Sequence, residues 1–83
     1  MKYMKRRLTV EAFQLGFDDP SPWWVEAEDN GVARRTADGG FEVDVGGGEM
    51  HLAQEGDWMV RGKDGDLFVV TPERFDSNYE RIE

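Results

Sequence analysis

Apolar residues occupy every second position from Leu8 to Ala12 in the segment LTVEAFQL, residues 8–15. This alternation has the period of two that a half-buried β-strand requires. Phe13 and Leu15 then add apolar positions on the opposite face. We therefore expect a strand here whose end is covered on both faces.

A serine followed by a proline marks a helix start after this strand. Ser21 can cap the free backbone N–H groups, and Pro22 at the first helical position gives up no hydrogen bond. Gly31 closes the segment, because glycine adopts the left-handed conformation common after a helix. The pattern predicts a two-turn helix at about residues 22–29. The residues expected to face inward are Trp23, Trp24 and Ala27.

Between the first helix and the last proline, the chain has the pattern of short strands separated by glycine turns. The predicted strands cover residues 32–36, 41–45, 49–53, 57–62 and 66–71. Alternation in FEVDV puts Phe41 and Val43 on one face. The same argument points Met50 and Leu52 inward and leaves His51 on the outer face.

The run LFVV, residues 67–70, is apolar without alternation, which is typical of a central strand covered on both faces. A threonine and a proline then repeat the start signal of the first helix. They predict a short helical turn near residues 72–77. Residues 78–82 can return as a last strand.

Together these elements predict a single small domain over residues 1–83, of the α+β class and mainly antiparallel β. Several short strands with near-regular turns are interrupted by only two short helices. We therefore expect a small curled sheet or an open barrel.

Composition limits the classes of function. A formal net charge of -8, from 10 basic and 18 acidic residues, disfavours nucleic-acid binding, which relies on Lys and Arg meeting phosphates. The absence of cysteine excludes disulfides and thiolate chemistry. No stretch approaches the roughly 18 apolar residues of a membrane span, and the start lacks the apolar region of a signal peptide. We expect a soluble cytoplasmic protein without membrane contact.

Candidate catalytic and metal-binding groups are few. His51 is the only histidine, and a surface histidine explains it better than a general base, because no Ser-His-Asp arrangement accompanies it. Asp57, Asp64 and Asp66 lack the spacing of a calcium loop, and Lys63 among them would repel a cation. The GGG run lacks the Lys-Ser/Thr of a phosphate loop. We predict no catalytic residue, no metal and no cofactor.

Aromatic and basic residues supply the candidate binding site. We expect Trp24 and Trp58 to pack the helix onto the sheet. The alternative is that one tryptophan, Trp23 before the others, lies partly exposed as an anchor in a protein interface. The turns of EGDWMVRGKDGDLFVV explain its glycines but not Arg61 before Gly62. The predicted binding residues are Arg61, Trp58, Arg6, Arg7 and Trp23.

Two segments of the chain resemble a family of short proteins encoded by tailed bacteriophages and prophages. The start KYMKRRLTVEAFQ is similar to that family's tyrosine, basic cluster and V-E-A-F strand. EGDWMVRGKDGDLFVVTPERFDSNYE is similar to its G-D-W block, R-G pair, second glycine turn and closing Pro, Phe and Tyr-Glu. Leu8 departs from a usual proline, and Val70 stands where a cysteine is common. The resemblance implies a phage or prophage origin and an accessory role, and it brings no established activity.

The leading hypothesis is a small non-enzymatic accessory protein that binds a host or phage protein, with self-association as a sub-case. The alternative is a small-molecule or nucleotide-binding domain in which Arg6, Arg7 and Arg61 meet an anionic ligand beside Trp58. A third hypothesis, imitation of nucleic acid by the acidic body, needs carboxylates arrayed on one face. The sequence gives no sign of such an array.

Overall fold

Residues 2–5 and 8–81 are described by a computed structural model, with side chains described for residues 9–80. This part of the chain forms eight strands and two short helices. They are β1 (Lys2–Lys5), β2 (Leu8–Gln14), α1 (Pro22–Asp29), β3 (Ala33–Arg35), β4 (Phe41–Gly46), β5 (Glu49–Ala53), β6 (Trp58–Arg61), β7 (Leu67–Val70), α2 (Pro72–Asn78) and β8 (Glu80–Arg81). The helix predicted at 22–29 and the helical turn predicted near 72–77 are both confirmed.

Proline and glycine set the bounds of α1. Pro22 is its first residue and Ser21 is its extended N-cap, although the Ser21 side chain makes no capping hydrogen bond. At the other end, Asn30 donates its N–H to the carbonyl of Glu26 at 2.9 Å, and Gly31 follows with a φ of 77°. Glycine adopts this left-handed backbone without steric cost. The helix therefore ends here and the chain turns towards β3.

Antiparallel pairing divides the strands into two sheets. The larger sheet has the order β7-β6-β2-β1-β8, and the smaller has the order β3-β4-β5. The pairings are antiparallel, so the α+β, mainly antiparallel β prediction is confirmed. The expected small curled sheet or open barrel is not found, because the strands divide between two sheets, and β5 and β6, which follow each other in the chain, belong to different ones.

The turn between β5 and β6 explains this division. Leu15, just after β2, donates its N–H to the carbonyl of Asp57 at 2.9 Å and accepts the N–H of Gly56 at 2.8 Å. The Gln14 side chain donates Nε2 to the carbonyl of Gly56 at 3.0 Å. These bonds attach the start of β6 to the end of β2. The partner of β6 is therefore β2 rather than β5.

Strand β2 carries a buried residue on each face of the larger sheet. Ala12 is 1% exposed and Phe13 is 2% exposed, and neighbours along a strand point to opposite faces. In β6, Val60 lies opposite Ala12 and Met59 lies opposite Phe13. The prediction that β2 is covered on both faces near its end is confirmed.

The inner core is the cluster of buried residues on the Phe13 side of the larger sheet, facing α1 and the smaller sheet. Trp24 is 1% exposed at its centre. Its ring meets those of Phe13 and Phe41 edge-on, with centroids 5.6 and 5.1 Å away. This edge-to-face geometry is the one that aromatic quadrupoles favour. Trp24 therefore joins α1 to both sheets.

The outer core is the smaller cluster on the other face of the larger sheet, made of Ala12, Val60 and Phe75. The Phe75 ring, from α2, stacks on Trp58 at a centroid distance of 3.8 Å and on Tyr79 at 4.6 Å. Trp24 packs the first helix as expected. Trp58 instead packs α2, so that part of the prediction is wrong.

The structure reverses the expected facing of β5. Register places Val43, which is 1% exposed, opposite His51, so His51 shares the inward side of β4. Leu52 and Met50 lie on the outer side and are 68% and 38% exposed. The prediction that Met50 and Leu52 point inward and His51 outward is wrong. The turn through residues 46–48 fixes the register, and register decides which alternate positions face the core.

Strand β7 is an edge strand of the described sheet, not a central strand. Leu67 points into the inner core and is 9% exposed, whereas Phe68 on the other face is 45% exposed. The predicted central position is therefore wrong. The expected cover on both faces is only partial, because Val70 packs on the outer core while Phe68 on the same face is exposed. An apolar run reveals burial on one face, but it does not show whether another strand lies alongside.

Strand β1 has no counterpart among the predicted strands. It pairs with the first half of β2, where Lys2 lies opposite Glu11 and Lys5 lies opposite Leu8. Its other side pairs with β8. The four residues KYMK show no alternation, so a search for a period of two could not find this strand.

The turn between β3 and β4 is held by the side chains of Thr36 and Asp38. The Thr36 hydroxyl donates to the Asp38 carboxylate. The Gly40 N–H donates to Thr36 Oγ1 at 3.1 Å and to Asp38 Oδ1 at 3.3 Å. The hydrogen bond from Thr36, followed by that from Gly40, lowers the pKa of Asp38 from its ordinary value of 3.8, because both stabilise the ionised form.

Thr36→Val is expected to raise the pKa of Asp38 back towards 3.8. NMR titration of the Asp38 side-chain carbonyl measures this change directly. A folded pKa below the unfolded value means that ionised Asp38 stabilises the fold above the unfolded pKa. That contribution disappears as the pH falls through the folded pKa. Thr71→Val is the control, since the Thr71 side chain makes no capping bond. An unchanged Asp38 titration in Thr36→Val would contradict the assignment.

Candidate functional site

Arg61 and Trp23, two of the predicted binding residues, line one groove. Arg61 ends β6 opposite Leu67, which places it on the inner-core face of the larger sheet. Trp23 reaches the same place from α1. The groove has a volume of about 360 Å³. We call it the Arg61 groove, and it also includes Glu26, Asp44 and Asp66.

The charges of the Arg61 groove are mainly negative. Arg61 Nη1 lies 3.4 Å from Glu11 Oε1, and the two side chains are 41% and 45% exposed. An exposed pair of this kind contributes about 0.2–1 kcal/mol. Three further acidic residues, Glu26, Asp44 and Asp66, are among those that line the groove. A phosphate here would compete with Glu11 for the arginine and meet like charge around it.

Trp23 is only partly available as an anchor. Its ring packs against Phe13 at a centroid distance of 5.6 Å. Its indole Nε1 is buried and has no hydrogen-bond partner among the described residues. Trp23 therefore presents one part of its ring to the groove while the rest supports the inner core.

The other predicted binding residues do not join this groove in the structure. Trp58 lies on the opposite face of the sheet, stacked on Phe75 in the outer core. Arg6 and Arg7 fall outside the described residues. The structure thus brings together Arg61 and Trp23 and separates both from Trp58.

Strand β5 presents an open edge of the smaller sheet, in which it hydrogen-bonds to β4 alone among the described strands. In an antiparallel sheet, the N–H and C=O of one residue point to the same neighbouring strand, and the direction alternates along the chain. Asp44 donates its N–H to Val32, on the β3 side. Val43 therefore bonds towards β5 and its partner His51. It follows that the N–H and C=O groups of Met50 and Leu52 point away from β4.

Met50 and Leu52 also expose apolar side chains beside their outward-pointing backbone groups. Leu52 is 68% exposed and Met50 is 38% exposed, both on the outer face of the sheet. A flat, apolar edge strand is a template for pairing with another strand, which many proteins block with lysine or proline. β5 has neither, as its sequence is EMHLA. We call Glu49–Ala53, with its unpaired side, the β5 edge.

One polar contact belongs to the β5 edge. The ring nitrogen Nε2 of His51 lies 2.8 Å from Glu49 Oε2. Both side chains are well exposed, at 45% and 64%. They lie two positions apart on the inward side of the strand, beyond the core. The outer side of the edge is therefore left to Met50 and Leu52.

A second apolar surface surrounds Phe68. A groove of about 430 Å³ runs between the β6–β7 hairpin and the chain after α2, lined by Val10, Val60, Val70 and Tyr79. It continues the outer core to the surface. Lys63, Asp64 and Asp66 also line it, so residues of both charge signs surround the apolar surface.

Sequence reasoning missed the β5 edge because it assigned Met50 and Leu52 to the core. Apolar side chains at alternate positions normally do face inward. The neighbouring strand contained the contrary signal, since Glu42 and Asp44 are the polar positions of FEVDV and pair with Leu52 and Met50. That pairing depends on the register set by the turn through residues 46–48, so the signal can be read only once the register is known.

No family model, curated protein or solved structure gives a significant match to the chain. The inference of function therefore rests on the geometry of the structure. Among the residues described above, no group of three or more His, Asp or Glu side chains is placed to hold a metal ion. Over the same ranges, neither helix has the length and apolar character needed to traverse a lipid bilayer.

Proposed function

We propose that this chain is a non-enzymatic accessory protein of phage or prophage origin that binds another protein by strand addition at the β5 edge. The supporting observation is the coincidence, at Met50 and Leu52, of outward-pointing backbone groups with exposed apolar side chains. Main-chain hydrogen bonds supply affinity in this mode, and alternate side chains supply specificity. The resemblance of the two end segments to phage proteins motivates the origin and an action in the host cytoplasm.

The association free energy favours a partner that pairs with the backbone of the β5 edge and also covers its apolar side chains. Met50 and Leu52 each offer one donor and one acceptor, and each new backbone hydrogen bond contributes about 0.5–1.5 kcal/mol. Burying one exposed Leu or Met side chain contributes about 1.5–3 kcal/mol. Association costs about 4–15 kcal/mol in lost freedom. Backbone pairing alone does not offset that cost, so the partner strand must also cover the apolar side chains.

The nucleotide-binding alternative receives less support from the geometry. Its key residue, Arg61, already faces Glu11 at 3.4 Å. Three more acidic residues line the groove around it. Trp58, which was to stack on a base, lies on the opposite face of the sheet. Strand addition at the β5 edge therefore has the better physical basis.

Selection from a random displayed-peptide library on the immobilised protein tests the proposal. We expect the selected peptides to have apolar residues at alternate positions, and synthetic copies to bind in fluorescence anisotropy. Leu52→Pro removes an edge N–H that β4 does not use, and proline is tolerated at such positions. We expect this variant to bind the peptides at least about tenfold more weakly.

The matched control is Val25→Lys, a change at an exposed aliphatic residue of α1, 48% exposed and away from β5. This variant should bind the peptides as the parent does. Circular dichroism and amide NMR spectra confirm the fold of each variant. Selection of no peptide, or equal binding by folded Leu52→Pro, would refute the proposal.

A further inference from the structure

We infer that the strand added at the β5 edge is the β5 strand of a second copy of this chain, related to the first by a two-fold axis through His51. The inference rests on the proposed function and names its partner. It is carried by the apolar character that Met50 and Leu52 share, since both are exposed on the outer face with outward-pointing backbone groups on either side of His51, so a two-fold axis through His51 sets apolar against apolar. Those positions are self-complementary.

The register follows from which residues have free backbone groups. In an antiparallel ladder, a hydrogen-bonded pair exchanges both N–H and C=O groups between directly opposite residues. Met50 must therefore face an outward-pointing residue of the second copy. When His51 lies on the axis, Met50 faces Leu52 of the second copy, and Leu52 faces its Met50. All the outward groups of these two residues are then satisfied.

The side chains agree with this register. Met50 and Leu52 occupy the same outer face, so each Met50 lies beside Leu52 of the other copy and both become covered. Opposite side chains in a strand pair lie about 4.5–5.5 Å apart at their Cβ atoms. The two apolar cross-strand pairs thus cover the most exposed side chains of the β5 edge. On the inward side, each His51 keeps its own Glu49 as a neighbour.

Net charge opposes this association and sets its salt dependence. Each copy carries a formal charge of -8, and copies of like charge repel each other at low ionic strength. Glu42 and Asp44, opposite Leu52 and Met50 in the sheet, place part of that charge next to the edge. Because salt screens exposed charges over about 10 Å at 0.1 M, added salt strengthens the pairing.

A dimer formed only by two short edge strands is expected to be weak. Specific dimers bury about 1,200–2,000 Å² in total, and a pair of five-residue strands covers less than this. Sedimentation equilibrium from micromolar to millimolar concentration is therefore the appropriate measurement. We expect a monomer–dimer equilibrium that shifts towards dimer with added NaCl.

Two variants test the role of the edge. Leu52→Pro removes the outward N–H, and Leu52→Lys keeps it but places a charge in the apolar pair. Both should weaken the dimer at least about tenfold, while Val25→Lys leaves it unchanged. If Leu52→Pro fails to fold, Leu52→Lys still decides the question. Dimerisation equal to that of the parent in folded Leu52→Lys would overturn the inference.

Cysteine cross-linking tests the register itself, because the natural chain contains no cysteine. Residues on the axis form a non-hydrogen-bonded pair with Cα atoms about 4.5 Å apart, within the range of about 4.4–6.8 Å that disulfides require. His51→Cys should therefore form a disulfide-linked dimer under oxidised glutathione. Val25→Cys, the control, should form far less. Equal yields would overturn the register.

The outcomes separate this inference from the proposed function. A protein that stays monomeric at millimolar concentration, yet binds selected peptides in a Leu52-dependent manner, overturns self-pairing and keeps strand addition. A dimer that resists Leu52→Pro and Leu52→Lys overturns self-pairing at this edge. Loss of both dimer and peptide binding in the parent overturns both.

Discussion

Trp24→Ala is expected to lower the free energy of unfolding by about 3–5 kcal/mol, the usual cost of removing a buried Trp or Phe side chain. A chain of this length has a total stability of about 4–12 kcal/mol. Trp24 is 1% exposed and contacts the rings of Phe13 and Phe41. Its loss leaves a cavity where α1 and both sheets meet. The substitution should therefore remove about a quarter or more of the total stability.

Urea denaturation followed by circular dichroism measures the effect of Trp24→Ala. Val25→Ala is the neighbouring control, because Val25 is 48% exposed on the same helix. Exposed substitutions of this kind usually change stability by less than about 0.5 kcal/mol. If both variants denature at the same urea concentration, Trp24 does not hold the two sheets together.

Local signals in the sequence predicted the helices well. The Ser21-Pro22 and Thr71-Pro72 pairs place the first residue of each helix where the structure has it. Proline acts through its own ring and its missing N–H, so its influence does not depend on distant residues. Alternation likewise found most strands, because the pleat gives each strand a period of two.

The positions of strands relative to one another were not available from such signals. Whether β5 faces inward depends on the register that residues 46–48 set with β4, and three consecutive glycines with positive φ allow more than one register. Whether β7 lies centrally or at an edge depends on which strands pair beyond it. The facing of β5 and the position of β7 in its sheet are tertiary properties. The predicted inward facing of Met50 and Leu52 and the predicted central position of β7 were both wrong.

The candidate site shows the same limit. Trp58 and Arg61 lie three positions apart on one strand, so the pleat puts them on opposite faces. This alternation can be read from the sequence alone. It means that one ligand cannot contact Trp58 and Arg61 from the same face of the sheet. Arg61 and Trp23, from distant elements, do meet at one groove. The acidic residues around Arg61 and the partial burial of Trp23 decide what that groove can bind, and the sequence shows neither of them.

Phe75→Ala is the second change expected to have a large effect, a loss of about 3–5 kcal/mol. Phe75 is 3% exposed and stacks between Trp58 and Tyr79. Without its ring, α2 loses its main buried contact with the sheet. Phe17→Ala is the matched control, because Phe17 has the same side chain but is 68% exposed. A loss in Phe75→Ala no larger than that in Phe17→Ala would contradict the outer core.

The same variant tests whether the inner and outer cores unfold together. Ala12 and Phe13 are adjacent in β2, and Val60 and Met59 are adjacent in β6, yet in each pair the two residues belong to different cores. Neither core can lose these strands without exposing the other, so we expect one cooperative transition. The indole N–H signals of Trp24 and Trp58 in NMR report the two cores separately. In Phe75→Ala, both signals should leave their native positions at the same urea concentration, because the missing ring weakens strands that both cores share. Earlier loss of the Trp58 signal alone would mean that α2 detaches from a sheet whose inner core remains intact.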